Sequence, residues 1–421
     1  MKDRCIVNVN LSCKMEKNPR FDIDVIVLML LCGALLFPVI PIGVMRFRVS
    51  DIVALTLVPM LALSFQRTVK SCGLFFLCII VGAFVWSTLY SYLFLSVPMT
   101  IRDVNELSRV LILVFVYWIT VNVEPRSSER AILLFFRIAT PVIIVFSLVQ
   151  YFFPHQIPAR ILDLYGGAHH VETLLTRSHP RIFATGADPN IGGAIILLFF
   201  FFHLSFYNER RRIASLAIAL VFLVLLGFTA SRTCLIALFL VMLLLVLFSG
   251  DVRPALKIFL LLLLPLCAYM AWISVDYIRL GFLAFMAGEN VSWETRLQLF
   301  EDAKNLFLIS PVFGWGPAKA IHTTIVDGEY FLLLRRYGIV GLMCVVAFMA
   351  RTVFFIMKLN RDRTKVRING TLKSTLLLYS FAMFVLMITN NFFSSYQLAL
   401  PYMVLLAYVE RAAIDNSRLG I

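Results

Sequence analysis

The sequence predicts an all-α, polytopic integral membrane protein. Of its 421 residues, 61% are hydrophobic and only 15% are charged, whereas an ordinary soluble domain has about 45–50% apolar and about 25% charged residues. The apolar residues come in runs of roughly 20, the length at which an α-helix crosses a hydrocarbon core about 30 Å thick. This composition excludes a soluble enzyme, a disordered chain and a disulfide-rich scaffold.

Twelve such runs can be drawn as transmembrane spans. Helices are the expected form, because the runs are too long and too continuously apolar for the strands of a membrane barrel. The first run follows a mostly polar segment without a small-residue cleavage site, so we expect a retained span and not a signal peptide. The predicted spans are 25–45, 51–66, 72–95, 106–123, 131–153, 189–207, 213–229, 233–249, 256–275, 338–357, 374–391 and 396–410.

The basic residues predict the orientation. Lys and Arg cluster in the N-terminal tail and in alternate connections between spans, and by the positive-inside rule these clusters face the cytoplasm. We therefore expect cytoplasmic tails at 1–24 and 411–421 and a single transmembrane domain over 25–410. The charges are dispersed in short connections without interleaved aromatic residues, so nucleic acid is not an expected partner.

Two connections are too long and too polar to be simple turns, and the predicted topology places both outside. They span residues 154–188 and 276–337. The first ends with Asp188, which suits the N-cap of a helix with proline at its first position. The second contains a predicted helix over 292–309, with Arg296 at the head of its apolar stripe. We expect both loops to fold over one mouth and to carry the chemistry.

The outer side is unusually rich in arginine. By this topology it carries fourteen basic residues, of which twelve are Arg. The guanidinium fork binds phosphate in a bidentate way, so the pattern indicates an anionic phosphate ligand; the alternative is that these side chains reach lipid headgroups. Membrane lipids are expected partners in both cases. The eight cysteines lie in the N-terminal tail or in predicted spans and form no CxxC pair, which predicts neither an outer disulfide nor a zinc site.

Four segments of the chain resemble a known family. They are Arg181 to Asn190, with Gly186, Asp188 and Pro189; the Ser231–Arg232 turn; Arg296 to Pro317, with Pro311, Gly314 and Gly316; and Val326 to Leu342. With these segments in this order, and with the span pattern over about residues 20–410, the chain is similar to the bacterial O-antigen polymerase and O-antigen ligase superfamily of polytopic glycosyltransferases.

The resemblance implies an activity. In this family a glycan is transferred from undecaprenyl diphosphate to an acceptor hydroxyl at the outer face of the bacterial plasma membrane. The expected partners are an undecaprenyl-diphosphate-linked oligosaccharide and a chain-length regulator protein. Arg232 and Arg296 match the arginines that engage the diphosphate in the ligase branch, and Arg181 is expected to assist them.

The last segment departs from the ligase pattern. Ligases carry a catalytic His about eleven residues before a glycine that corresponds to Gly338. Asp327 occupies that place here, and His322 lies five residues earlier. This difference favours the polymerase branch. The alternatives are an O-antigen ligase, which transfers the glycan to lipid A core, and a lipid-linked oligosaccharide flippase.

Displacing a diphosphate builds negative charge on the leaving oxygen, and a metal ion or fixed cations must stabilise that charge. The outer loops contain no paired-carboxylate metal motif of the Asp-x-Asp form, so we expect a reaction without metal or other cofactor. Transporters usually place ionisable residues near span centres. The span centres are almost free of charged residues here, which favours an enzyme.

The sequence indicates two sets of candidate site residues. The catalytic candidates are Arg232, Arg296 and Asp327, with Glu329 and His322 as alternative proton acceptors. The substrate-binding candidates are Arg181, Arg232, Arg296, Arg335 and Arg336.

Overall fold

The structure is a computed structural model, and it describes residues 23–42, 45–64, 69–166, 168–176, 180–248, 254, 257–258, 260–262, 265, 279–280, 283–284, 286–287, 291–322, 326–361, 368–391 and 395–418. Most of these residues are helical. The elements in chain order are α1 (Ile23–Leu35), β1 (Val39–Ile42), β2 (Met45–Arg48), α2 (Val49–Ser64), α3 (Cys72–Phe94), α4 (Ile101–Asn122), α5 (Pro125–Phe152), α6 (Ala159–Tyr165), α7 (Ala168–Thr176), α8 (Pro189–Arg210), α9 (Ile213–Thr229), α10 (Arg232–Phe248), α11 (Val291–Ile309), α12 (Glu329–Arg361), α13 (Gly370–Leu386) and α14 (Tyr396–Arg418).

Five of the described helices are long and apolar enough to cross a membrane, namely α3, α4, α5, α8 and α12. Helices α1, α9, α10 and α13 are shorter but also apolar. The predominantly helical fold with helices of membrane-spanning length is therefore confirmed. The total of twelve spans stays a prediction, and the predicted span 256–275 lies almost wholly outside the described residues.

The first predicted span, 25–45, differs from expectation. Helix α1 ends at Leu35, and the strands β1 (Val39–Ile42) and β2 (Met45–Arg48) pair in antiparallel fashion. Pro38 and Pro41 lack the backbone N–H that a continuing helix would need, which explains why the helix stops. The apolar run is therefore divided between a helix and two paired antiparallel strands.

Helix α8 is the most central of the long helices. Of its apolar window, 78% is buried inside the protein, against 33–44% for the other four. It packs along α9 and α13, while α12 packs on α3 and α14 packs on α4. The Phe202 ring of α8 stacks on Phe136 of α5, with 3.8 Å between the ring centroids. Because α8 is surrounded by other helices, it can be apolar on every face.

The end of α13 and the starts of α10 and α12 meet at one end of the bundle, which we call the site end. The backbone N–H of Glu329, the first residue of α12, donates to the carbonyl of Met387, just past α13, over 2.8 Å. The hydroxyl of Thr389 donates to the hydroxyl of Thr233, in the first turn of α10, over 2.8 Å. These contacts bring segments that are far apart in sequence to one place.

Candidate functional site

The first two of the four resembling segments lie side by side at the site end. The carboxylate of Asp188 caps α8 by accepting from the backbone N–H groups of Asn190 and Ile191 at 2.7 and 3.0 Å, as its sequence context predicts. The side-chain oxygen of Asn190 accepts from the Ser231 hydroxyl at 2.8 Å. The entry to α8 is thereby joined to the turn that carries Arg232.

Arg181 contacts the same turn. Its Nε donates to the carbonyl of Thr229, the last residue of α9, over 3.2 Å. The side chains of Arg181 and Arg232 are both partly exposed. Two of the predicted substrate-binding arginines therefore flank one tight turn and remain accessible from outside the protein.

Two buried glutamines that the sequence did not indicate hold the loop before Asp188. Gln150 of α5 donates to the carbonyl of Ala184 over 2.9 Å, and Gln397 of α14 donates to the carbonyl of Thr185 over 2.6 Å. Both glutamines are at most 2% exposed. An uncharged amide inside an apolar run is the signal that would have found them, because a buried polar side chain needs a partner.

Helix α12 is broken at Gly338, whose φ of 62° and ψ of −165° lie outside the helical region. The break leaves backbone carbonyl groups of α12 without partners inside the helix, and groups on other elements donate hydrogen bonds to them. The backbone N–H of Trp315 donates to the carbonyl of Arg335 over 3.0 Å, and the Ser87 hydroxyl donates to the carbonyl of Arg336 over 2.8 Å. The third resembling segment is therefore docked on the fourth, against α3.

Arg335 and Arg336, both predicted to bind substrate, are buried, with 3% and 4% exposure. Nη1 of Arg336 lies 3.6 Å from one carboxylate oxygen of Glu106 in α4, and Nζ of Lys319 lies 2.8 Å from the other. The backbone N–H of Lys319 donates to the carboxylate of Asp103 over 2.8 Å. Glu106, which was not predicted as a site residue, thus joins α4 to α12 and to the turn that follows α11.

The charge pattern of α4 could have pointed to Glu106. Arg102, Glu106 and Arg109 recur at helical spacing, so the start of this helix has one charged face. Burial and the positive charge of Arg336 lower the pKa of Lys319 below its usual value, and the Glu106 carboxylate opposes that shift. The ion pair with Glu106 therefore helps to keep this partly buried amine charged.

Arg296 and Asp327 are brought together as an ion pair. Nε of Arg296 lies 3.6 Å from a carboxylate oxygen of Asp327, a separation too long for a hydrogen bond. The Asp327 side chain is 52% exposed and that of Arg296 is 23% exposed. The arginine predicted to hold phosphate is therefore next to the carboxylate predicted to accept a proton.

The residues just beyond α13 connect the Arg232 turn to the Arg296 region. The backbone N–H of Glu329 also reaches the carbonyl of Asn390, at 3.2 Å. The side-chain amide of Asn391 donates to the carbonyl of Val326 over 3.2 Å. Glu329 itself is 1% exposed, so this alternative proton acceptor is far less accessible than Asp327.

His322, the residue considered for a ligase, lies in the same region. Its ring packs edge-on against Trp315, with 5.6 Å between the centroids. Burial and the charge of Arg335 lower the pKa of His322 below its usual value. The imidazole is therefore neutral at pH 7.

Several buried polar atoms at the site end have no hydrogen-bond partner within the described part of the chain. Buried polar atoms are nearly always paired in folded proteins, and leaving one unpaired costs about 1–3 kcal/mol. Two of them are guanidinium Nε–H groups, which can only donate, so the site offers donors to a ligand with acceptor oxygens, such as a phosphate or a sugar. Among them are the nitrogens Arg296 Nε, His322 Nε2, Arg336 Nε and Asn390 Nδ2 and the oxygens Asn391 Oδ1, Thr185 Oγ1 and Gln397 Oε1.

Fixed cations are the charged groups that this arrangement offers to an anion. Within the described ranges, no three His, Cys, Asp or Glu side chains are grouped as a bound metal ion would require.

In comparisons with known proteins, no family model and no curated protein matches the chain.

Proposed function

We propose that this protein is a polysaccharide polymerase of the bacterial plasma membrane. It transfers a growing glycan from undecaprenyl diphosphate to a new lipid-linked repeat unit at the outer face. The product is a surface polysaccharide of the O-antigen, capsule or exopolysaccharide class. Apolar helices of membrane-spanning length are consistent with a lipid-linked substrate.

The observation that carries the proposal is the meeting of the four segments at one end of the bundle. The Arg181–Arg232 turn contacts the residues after α13 through Thr233 and Thr389. Those residues in turn contact the start of α12, next to the Arg296–Asp327 pair. Arg181, Arg232 and Arg296, from three separate segments, thus lie along one continuous chain of contacts. Such a cluster is suited to a carrier diphosphate, because guanidinium groups bind phosphate through planar, bidentate hydrogen bonds.

In the proposed reaction, the oxygen of an acceptor hydroxyl forms a bond to the anomeric carbon of the donor glycan. The bond from that carbon to the diphosphate oxygen breaks, and its electron pair leaves with the diphosphate. Arg232 and Arg296, assisted by Arg181, stabilise the charge that develops on the leaving group. Fixed donors are effective in this role because they need no reorganisation during the reaction.

Asp327 accepts the proton of the attacking hydroxyl. Its carboxylate is paired with Arg296 at 3.6 Å, so a diphosphate that binds Arg296 would replace this carboxylate as the anionic partner. Asp327 is half exposed, so an acceptor that approaches from outside the protein can reach its carboxylate. A positioned general base contributes about 10²- to 10⁴-fold to a rate.

Deleting the gene and separating the surface glycans on a gel tests the proposal. A polymerase deletion leaves a single attached repeat unit in place of a ladder of lengths. A flippase deletion leaves lipid-linked units on the inner side of the membrane. A normal ladder, or precursor trapped inside, would rule the polymerase out.

A ligase is the second candidate, and His322 is the observation that favours it. Its imidazole is kept neutral by burial and by Arg335, and its Nε2 has no hydrogen-bond partner among the described residues, as a general base requires. The same deletion separates the two activities. Loss of a ligase leaves no glycan attached to lipid A core, and long chains remain on the carrier lipid.

A further inference from the structure

A small pocket lies between α3, α4 and the first half of α12. Its polar lining consists of Glu106, Glu329 and Arg336, and its apolar lining includes Phe84 and Tyr337. The Phe84 and Tyr337 rings are stacked, with 3.6 Å between their centroids. The space admits about one water-sized group, which corresponds to a single hydroxyl and not to a whole sugar ring or a phosphate.

The lining groups define the chemistry that fits the pocket. Arg336 is 4% exposed, and its Nε–H has no hydrogen-bond acceptor among the described residues. Glu106 and Glu329 offer carboxylate oxygens, which accept hydrogen bonds when ionised. An anion would meet two carboxylates at this point, and a cation would meet the guanidinium. A hydroxyl group can accept from the Arg336 N–H and donate to a carboxylate at the same time.

The lysine beside the pocket keeps Glu106 in place. Lys319 approaches the Glu106 carboxylate to 2.8 Å, at the oxygen remote from Arg336. The backbone of Lys319 is held in turn by Asp103. Glu106 therefore stays ionised and oriented, with one carboxylate oxygen held by Lys319 and the other beside Arg336.

We propose that this pocket is a carbohydrate subsite in which Glu106 and Arg336 bind one hydroxyl of the acceptor sugar. The proposal rests on the proposed polymerase function for the identity of the sugar. The subsite adjoins the segment that carries Asp327, so a hydroxyl held here orients the acceptor ring while a neighbouring hydroxyl attacks. Glu106 and Arg336 are thus sugar-binding residues, distinct from the groups that hold the diphosphate.

Direct binding to the full-length protein in detergent tests this subsite. The probe is the free oligosaccharide that mild acid releases from the lipid-linked repeat unit of a strain lacking this gene. A fully O-methylated form of it lacks hydroxyl donors, and inorganic pyrophosphate serves as an anion probe. The test variant is Glu106→Gln, which preserves the shape of the side chain. The matched control is Glu124→Gln, because Glu124 is exposed and makes no side-chain capping hydrogen bond at the start of α5.

We expect Glu106→Gln to weaken oligosaccharide binding about tenfold, which corresponds to about 1.4 kcal/mol, and to leave pyrophosphate binding no weaker. The control variant binds like the wild type, and the O-methylated probe does not bind. Equal oligosaccharide affinity in Glu106→Gln and wild type would overturn the subsite. Undiminished binding of the O-methylated probe would also overturn the subsite. A wild-type protein that is folded, as judged by cooperative unfolding, but does not bind the oligosaccharide would overturn it as well.

The outcome is separable from that of the proposed function. If the gene deletion shows a ligase or a flippase but oligosaccharide binding still depends on Glu106, the subsite stands in a protein that handles glycans in another way. If the deletion shows a polymerase but Glu106→Gln binds the oligosaccharide normally, only the subsite is wrong. Thermal unfolding of each variant checks that a loss of binding does not arise from misfolding.

Discussion

Gly314 and Gly338 lie where two backbones cross with almost no space between them. A Cβ added to Gly314 would fall 2.6 Å from the backbone nitrogen of Gly338, and a Cβ added to Gly338 would fall 2.3 Å from the carbonyl oxygen of Val312. Both glycines have positive φ, 68° and 62°, a region that side-chain-bearing residues seldom adopt. Through this crossing the turn after α11 is seated in the break of α12.

We therefore expect Gly314→Ala to disrupt the site end. The methyl group would clash with backbone and not with a flexible side chain, and the left-handed conformation alone costs roughly 1–2 kcal/mol. Thermal unfolding in detergent should show a clearly lower transition temperature, together with loss of chain extension. Gly82→Ala is the control, because a Cβ at Gly82 meets nothing within 4 Å. An unchanged transition in Gly314→Ala would show that the two backbones do not cross as described.

Features that depend on neighbouring residues could be predicted from the sequence. Helix α9 has the predicted bounds, 213–229, and α11 spans 291–309 against a prediction of 292–309. The Asp188 N-cap was also predicted, because an acidic residue immediately before a proline favours the start of the helix that follows. Each of these depends on a local pattern: an apolar run, a helical period or a capping residue.

Features that depend on distant contacts could not be predicted. Glu106 and Arg336 are 230 positions apart, and their pairing depends on the tertiary approach of α12 to α4, which no local pattern encodes. Arg335 and Arg336 were predicted to bind substrate, and nothing in the sequence indicated that both would be buried. The sequence supplied the guanidinium groups of the site, and the fold determined which carboxylates they meet.

Arg296→Ala should abolish chain extension while the protein is still made and folded. Loss of one donor to a developing oxyanion costs roughly 3–4 kcal/mol, or 10²- to 10³-fold in rate. Arg296→Lys should restore little, since an ammonium lacks the planar fork. The measurement is the length distribution of glycans formed in membranes that contain equal amounts of each variant.

Lys304→Ala is the matched control for Arg296, because it removes a positive charge from an exposed position of the same helix, α11. Its glycan ladder should equal that of the wild type. A normal ladder from Arg296→Ala, or equal losses in the two variants, would contradict a specific role for Arg296.

Glu410, in α14, is expected to be a stability determinant remote from the site end. It is 2% exposed, accepts hydrogen bonds from the Tyr117 hydroxyl at 2.7 Å and the Ser71 hydroxyl at 2.5 Å, and pairs with Arg351. Removing one partner of a buried ion pair costs about 3–5 kcal/mol, so Glu410→Ala should lower the unfolding temperature strongly.

The more exposed pair in α14 provides the comparison for Glu410. Arg411 and Asp415 are 3.2 Å apart one helical turn from each other, and such pairs contribute about 0–1 kcal/mol. Asp415→Ala should therefore change the unfolding temperature little. If Glu410→Ala were equally mild, the buried cluster would not hold these helices together.

The environment of His322 predicts that the folded protein becomes less stable as the pH decreases. Burial and the charge of Arg335 lower the pKa of His322 in the folded protein, whereas the unfolded chain has the ordinary value of about 6.5. Below about pH 6.5 the unfolded state therefore binds more protons than the folded state, and stability falls as the pH decreases toward the lowered pKa. His322→Gln removes this contribution. The decrease in unfolding temperature between about pH 7.5 and about pH 5 should therefore be smaller in His322→Gln than in the wild type. His155→Gln is a matched control in the exposed turn after α5. A larger decrease in His322→Gln, or the same change in both variants, would show that His322 is not held neutral by the fold.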